Sequence, residues 1–348
     1  MRGKRMNLLP WRIRRLLAWA YANRHALVAL KRKVSGQFKR RILVSTAFFG
    51  GVGGTEKHLK SLIESMPDCF FHVRARDLRL AGFTPDSSNY VVNMAFGDGR
   101  AYDLYLYFAG GGKPPLEFGN HTFSASLLDT NGANVRDIED RFDQIAIQTG
   151  HYDKYCSQHH KCVLAFPGVP ATFPRRRVPV NLPSRYFLTV FNPFSDALKG
   201  HEALYRAADA AAWPIVWCYS DKSGFDFAHL PEHPNIIKRK NLTQEALYYV
   251  YEHASAYVSF SHMESFGWSL AEAFYLGLPI LARDVGFLSL VDEQSGVCLY
   301  AAEAELHALL QRTDYTQHTY NDTLFKDNAF PIVIDRILAR SKGGAQKT

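Results

Sequence analysis

At 348 residues, with 47% hydrophobic and 21% charged content, the chain is long enough for two ordinary domains with separate cores and too apolar for disorder. Its five cysteines (Cys69, Cys156, Cys162, Cys218, Cys298) are odd in number and form no CxxC pair, which fits reduced thiols in a reducing compartment better than a disulfide framework. The net charge of +8 points to nucleic acid only until it is located: thirteen of the 41 basic residues fall within residues 1–41, which hold no acid, leaving 28 basic against 33 acidic residues elsewhere. The basicity belongs to a leader, so no nucleic-acid partner is expected.

The leader, residues 1–40, has two short apolar runs, Leu16–Ala22 and Ala26–Leu30, interrupted by Asn23, Arg24 and His25. A spanning helix takes about 20 mostly apolar residues, and neither run approaches that. Trp11, Leu16, Leu17, Trp19 and Tyr21 among arginines suit a helix lying on an anionic membrane surface, where each basic residue near the headgroups contributes roughly 1 kcal/mol. A helix packed on the globular body fits the same pattern. A cleaved signal with Ala20-Tyr21-Ala22 as its small-residue site fits less well, because the basic region is long and the apolar region short and interrupted. The expected location is cytoplasmic, peripheral on the inner face of the cytoplasmic membrane under the first reading.

From residue 41 short apolar β-type runs alternate with helical stretches, the signature of α/β domains with parallel sheets. RILVSTAFF (41–49) reads as a buried strand, GGVGG (50–54) as a turn and TEKHLKSLIESM (55–66) as an amphipathic helix with Leu59, Leu62, Ile63 and Met66 on one face. Strands follow at 70–75, 90–96, 102–109, 124–129 and 144–149, completing a first domain over 41–170. Five prolines and the triplet Arg175–Arg177 mark 164–185 as extended, and a linker is placed at 171–184. A second α/β series over 185–325 has strands at 185–191, 214–220, 235–240, 256–261 and 279–283, with helices at 202–212, 243–254 and 269–277. Residues 326–348 form a last helix and tail, with a break expected near Pro331.

Two segments carry chemistry. In SHMESFGWSLAEAFYLGLPILARD (261–284) a strand ends, a loop carries Glu264, Ser265, Phe266 and Gly267, and a helix runs until Gly277 and Pro279 stop it. On one helix Glu264 and Glu272 would lie about 12 Å apart along the axis. With Glu264 on the loop and Glu272 about one turn inside, both can face one extended ligand, and the helix N-terminus between them suits a diphosphate. In GGVGGTE (50–56) the glycines allow close backbone approach to a phosphate, although the segment matches neither a Walker loop nor GxGxxG.

The Glu-x7-Glu arrangement of ESFGWSLAE followed by AFYLGLPILARDVG resembles the donor-binding signature of the retaining GT-B enzymes grouped as glycosyltransferase family 4. The resemblance implies two Rossmann-like domains with parallel sheets facing across a cleft, the second holding a nucleotide sugar and the first an acceptor. It implies that Glu264 hydrogen-bonds the transferred sugar, that Ser265, Phe266 and Gly267 line the donor, with the backbone N–H groups of Phe266 and Gly267 near it, and that Glu272 accepts from ribose hydroxyls. It brings Gly53 and Gly54 close to the diphosphate or acceptor. In FLTVFNPFSDALKGHEAL (187–204), Lys199 matches the phosphate-clamping lysine. Asn192 stands where the family carries an arginine, and Phe191 where a glycine is usual, so half of the clamp is neutral. Asp129 takes the place of the usual catalytic histidine, with a helix-capping role and His121 as open alternatives.

The implied reaction is transfer of a hexosyl group from a nucleotide diphosphate sugar to a hydroxyl with retention of configuration, in lipopolysaccharide or other cell-surface glycan synthesis. No cofactor is implied beyond the sugar nucleotide as co-substrate, and no metal is expected, since the chain has no Asp-x-Asp. Cys156, His159, His160 and Cys162 match no usual zinc spacing. The alternatives are a nucleotide-sugar epimerase or phosphorolytic enzyme on the same fold, and a non-catalytic GT-B protein that binds nucleotide sugar. The tyrosine-rich helix 243–254 reads as core and surface packing.

Overall fold

The computed structural model describes residues 11–50, 54–78, 84–94, 102–108, 123–127, 140, 142–151, 156–167, 176–193, 199–220, 230–291 and 296–344. The chain divides into two compact units, one of Met1–Ile147, Tyr152–Val169 and Asp327–Thr348, the other of Gln148–His151 and Pro170–Lys326.

The first unit opens with helices α1 (Trp11–Ala22) and α2 (Ala26–Val34). It continues through β1 (Arg40–Phe49), α3 (Gly54–Ser65), β2 (Cys69–Leu78), β3 (Tyr90–Val92), β4 (Leu104–Phe108), β5 (Phe123–Leu127), β6 (Gln144–Ile147) and β7 (Cys162–Leu164). These strands form a parallel sheet in the order β3-β2-β1-β4-β5-β6-β7. Both faces of a parallel sheet are normally covered, which is why β1 reads as a continuous apolar run. Ile42 and Val44 join Leu59, Leu62 and Ile63 of α3 in one core, while the alternate residue Leu43 packs with Tyr105 and Tyr107 in another.

Of the three readings of the leader, the structure places α1 and α2 on this unit. Their inward faces are small: Ala18, Ala22, Ala26 and Ala29 are buried, the last two against Phe70 and Val91. Between the helices, Asn23 pairs with the backbone of β3, which stands at one end of the described sheet. Its Nδ2 donates to the Val92 carbonyl at 2.9 Å, and the Val92 N–H donates to its Oδ1 at 2.7 Å. The side-chain amide thus acts as one more peptide group on an open sheet edge. No helix among the described residues is long and apolar enough to cross a membrane.

The second unit contains β8 (Phe187–Val190), α4 (His201–Ala210), β9 (Ile215–Tyr219), β10 (Ile236–Lys240), α5 (Gln244–His253), β11 (Ala256–Val258), α6 (Trp268–Tyr275), β12 (Ile280–Ala282), β13 (Val297–Leu299), α7 (Glu303–Leu310) and α8 (Thr323–Asp327). Its parallel sheet runs β10-β9-β8-β11-β12-β13. One face carries Phe187, Ile215, Trp217, Val258 and Leu281 against the alanine-rich side of α4 and Leu306 and Leu310 of α7. On α5, Tyr251 stacks on Tyr257 of β11, with ring centroids 5.9 Å apart. The strands β7 and β13, three residues each, fall where sequence periodicity signals no strand. The strand expected to reach Ser261 ends at Val258, with one further bond from Ser259 N–H to the Leu281 carbonyl at 2.8 Å.

The last helix, α9 (Phe330–Gly344), belongs to the first unit, where Phe330, Val333, Ile334, Ile337 and Leu338 complete the core on α3. The break expected near Pro331 does not occur. Pro331 is the second residue of α9, where its missing N–H would have had no helical partner and its fixed φ suits the first turn.

Candidate functional site

In an open parallel sheet, ligands bind beyond the carboxyl ends of the strands at the point where the chain reverses the direction in which it adds strands. In the second unit the chain lays β9 and β10 on one side of β8, then returns to place β11 on the other, so that point lies between β8 and β11. The segments after these two strands carry Asn192 and Lys199 on one side, and Glu264 to Gly267 on the other. In the first unit the corresponding point lies between β1 and β4, and the glycine segment follows β1. Gly54 opens α3, whereas Gly53, His121 and Asp129 lie outside the described residues.

Across the β8–β11 junction Lys199 Nζ donates to Glu264 Oε1 at 2.5 Å, each side chain being 17% exposed. The loops that bring them together approach at backbone level. Gly200 has φ +65°, and a Cβ on it would lie 2.3 Å from the Phe260 carbonyl oxygen, so no other residue fits without moving the chain. Gly267 has φ +85° at the head of α6, and its neighbour Phe266 is buried among Trp268, Phe287 and Phe325. The Phe266 carbonyl accepts from Phe287 N–H at 3.1 Å, which ties the Ser265–Gly267 loop to the segment after β12.

Two helices begin beside this junction. The N-termini of α4 and α6 are each preceded by a left-handed glycine, Gly200 and Gly267, with no side-chain cap. Away from the junction, Thr243 Oγ1 caps α5 by accepting from Ala246 N–H at 3.3 Å, and Glu305 Oε2 accepts from the Ala301 and Ala302 N–H groups at the head of α7. The first N–H groups of a helix have no internal partner and carry partial positive charge. Two such ends, each opened by a glycine that has no side chain of its own to cap it, lie at the β8–β11 junction. Together with Lys199 they make a setting for a polyanion.

Glu272, on the fifth residue of α6, is 3% exposed. Tyr251 Oη donates to its Oε2 at 3.1 Å and Tyr248 Oη to its Oε1 at 3.4 Å. Burial, and then the neighbouring Glu272 carboxylate, push both phenols far above their ordinary titration range, so they remain donors. An ionised carboxylate can accept about four hydrogen bonds, so hydroxyl donors are the partners its chemistry suits. These tyrosines are the partners of Glu272 that sequence reasoning passes over: residues 248 and 251, three apart, lie on one helix face toward α6. Tyr248 is also covered by the Arg177 guanidinium, 5.7 Å from its ring, and Arg177 pairs with Glu252.

Asn192 acts as a strand-end tie. Its Oδ1 accepts from Ser220 N–H at 2.8 Å, and Ser220 Oγ donates to Asn241 Oδ1 at 3.3 Å, linking the tips of β8, β9 and β10. Of the expected donor-site residues, the structure brings Lys199 to Glu264. It sets Ser265, Phe266 and Gly267 at the head of α6, and Glu272 inside that helix behind two tyrosines.

Residues 226–313, which include Glu264 to Glu272 but neither Asn192 nor Lys199, match the family model described as glycosyl transferases group 1. Solved structures similar in fold include the following three. The lipopolysaccharide outer core galactosyltransferase WaaB in its apo form is 14% identical, with a TM-score of 0.60 over 87% of this chain and 99% of that one. Anabaena Alr3699/HepE in complex with UDP-glucose is 13% identical, TM-score 0.60, over 88% and 100%. A glycosyltransferase from Rickettsia africae is 12% identical, TM-score 0.60, over 89% and 100%. No curated protein matches the sequence. The chain has the GT-B fold with two Rossmann-like units, and the match of residues 226–313 to the glycosyl transferases group 1 model supports a role in glycosyl transfer.

Proposed function

We propose that the protein is a retaining glycosyltransferase that moves a hexose from a nucleotide diphosphate sugar to a hydroxyl of a cell-surface glycan or lipid-linked acceptor, in synthesis of the lipopolysaccharide type. The observation that carries the proposal is the junction between β8 and β11, where the heads of α4 and α6, each opened by a left-handed glycine, flank the Lys199–Glu264 pair. The α4 and α6 N–H groups receive the diphosphate, and Lys199 shifts toward it as negative charge grows on the leaving group. Glu264, released from the lysine, accepts from hydroxyls of the transferred sugar, and Glu272 accepts from the ribose. The bond from the anomeric carbon to the phosphate oxygen breaks while the acceptor oxygen bonds to the same face. The acceptor hydroxyl's proton leaves on the diphosphate. Positive charge comes from Lys199 and the helix ends, so this chemistry requires no resident metal. Gly53, Gly54 and Asp129 are proposed for the acceptor-side unit, and the protein acts at the inner face of the cytoplasmic membrane.

Support for a sugar nucleotide as donor comes from HepE, whose structure holds UDP-glucose. Asn192, a neutral residue tied to Ser220, favours a second reading in which the protein binds a nucleotide sugar without transferring it. Nucleotide release from UDP-, GDP- and ADP-sugars, with and without glycan acceptors and in the presence of EDTA, separates the two. Acceptor-dependent release with the product in the donor's anomeric configuration is the expected result. Binding without turnover across acceptors, or an inverted product, would overturn the proposal.

A further inference from the structure

The leader helices are fixed to the body by their smallest residues and turn their largest ones outward, the reverse of a helix whose purpose is to fill a core. On α1, Ala18 and Ala22 are buried, while Leu16 is 63% exposed and Ile13 and Leu17 are exposed beside it. At 100° per residue these three lie on the side opposite the alanines, with Arg12 and Trp19 flanking one edge and Arg14 and Tyr21 the other. Leu27 of α2 is 84% exposed, and Lys31 follows one turn later.

We propose that the outward face of α1 and α2 docks on an anionic lipid bilayer. The charge of the face selects that occupant. Among the described residues no carboxylate lies in ion-pair range of Arg12, Arg14 or Lys31, although Arg24, Lys39 and Arg40 of the same segment all have acidic partners on the body. The basic residues that serve the fold are paired, and those beside the exposed apolar strip are left to meet negative charge from outside. Trp19 and Tyr21 at the edges of the strip suit the headgroup level, where a ring has one apolar and one wetted side. Because Asn23 bonds to β3 between the two helices, docking holds the first unit itself against the membrane rather than on a free tether. The inference is independent of the glycosyl-transfer reading.

Co-sedimentation of the full chain with vesicles of phosphatidylcholine, and of equal parts phosphatidylcholine and phosphatidylglycerol, tests it. The wild type should pellet with the anionic vesicles only, and its tryptophan emission should shift to the blue and be quenched by brominated lipid. Arg12→Gln with Arg14→Gln should weaken vesicle affinity about 25-fold, roughly fivefold for each charge near the surface. Leu16→Glu with Leu17→Glu should abolish binding, while circular dichroism and the melting temperature stay at wild-type values because these side chains are exposed. The proposal is overturned if the wild type remains in the supernatant with anionic vesicles, if either double variant pellets like the wild type, or if the leucine variant turns a wild-type dimer into a monomer without any vesicle binding.

Discussion

The Lys199–Glu264 pair can be separated into its structural and chemical parts by a double-mutant cycle. Lys199→Met leaves the Glu264 carboxylate without its cation in a place where it is only 17% exposed. Breaking a fully buried pair costs about 3–5 kcal/mol; with both partners partly wetted, about 2–3 kcal/mol is expected. For a unit of this size that lowers the melting temperature by roughly 4–10 °C. Glu264→Gln in the same chain removes the stranded charge, so the double variant should regain most of the loss, a coupling of about 2 kcal/mol. Turnover should behave differently. If Lys199 stabilises the leaving diphosphate, its removal should lower kcat by about 10²–10³, and adding Glu264→Gln should not restore it. Thermal melts and nucleotide release on the same four proteins decide the matter. A double variant that recovers activity along with stability would refute the reasoning, because the pair would then be a structural clasp.

Two further outcomes follow from local geometry. Gly200→Ala must place a Cβ 2.3 Å from a backbone oxygen at φ +65°, whereas Gly36→Ala has φ +68° with nothing within 4 Å. Left-handed backbone strain of about 1–2 kcal/mol applies to both and overpacking adds about 1–3 kcal/mol only at Gly200, so denaturant melts should show the larger loss there; equal losses would contradict the contact. His58, fully buried beside Phe330 with its ring edge-on at 5.8 Å, is held by burial at about 3, against 6.5 ordinarily. The unfolded chain therefore takes up the proton first, so stability is full above pH 6.5 and falls as pH drops toward 3, by about 2 kcal/mol at pH 5. Buried His72, held at about 4, adds to the same trend. His58→Leu should flatten the slope between pH 7 and 5, and a variant with an unchanged slope would show that another group sets it.

Much of this architecture is legible from the chain because parallel strands are long apolar runs and their helices carry a one-sided stripe, as β1 and α3 do. The loop-then-helix placement of Glu264 and Glu272 is also legible, since Gly267 and Gly277 punctuate the segment. Three things are not. β7 and β13 are too short for periodicity to register. Pro331 looks like a break because its position within a helix depends on where the first turn begins. The hydroxyls of Tyr248 and Tyr251 meet Glu272 only because α5 and α6 pack side by side, which no local pattern encodes. The leader is an intermediate case: its two short apolar runs are visible in the sequence, but Asn23 bonding to β3 joins residues 69 apart.

The position of α9 sets an order of events for folding. The sheet of the first unit is synthesised before the second unit, yet the helix that covers Leu59, Leu62 and Ile63 comes after it. The second unit is continuous apart from Gln148–His151 and can close as soon as its own strands are made. The first must hold an uncovered apolar surface through the synthesis of more than a hundred intervening residues. Uncovered surfaces of this kind draw chains into aggregation, so the half of the protein made first is the one that finishes last and most needs protection in the interval.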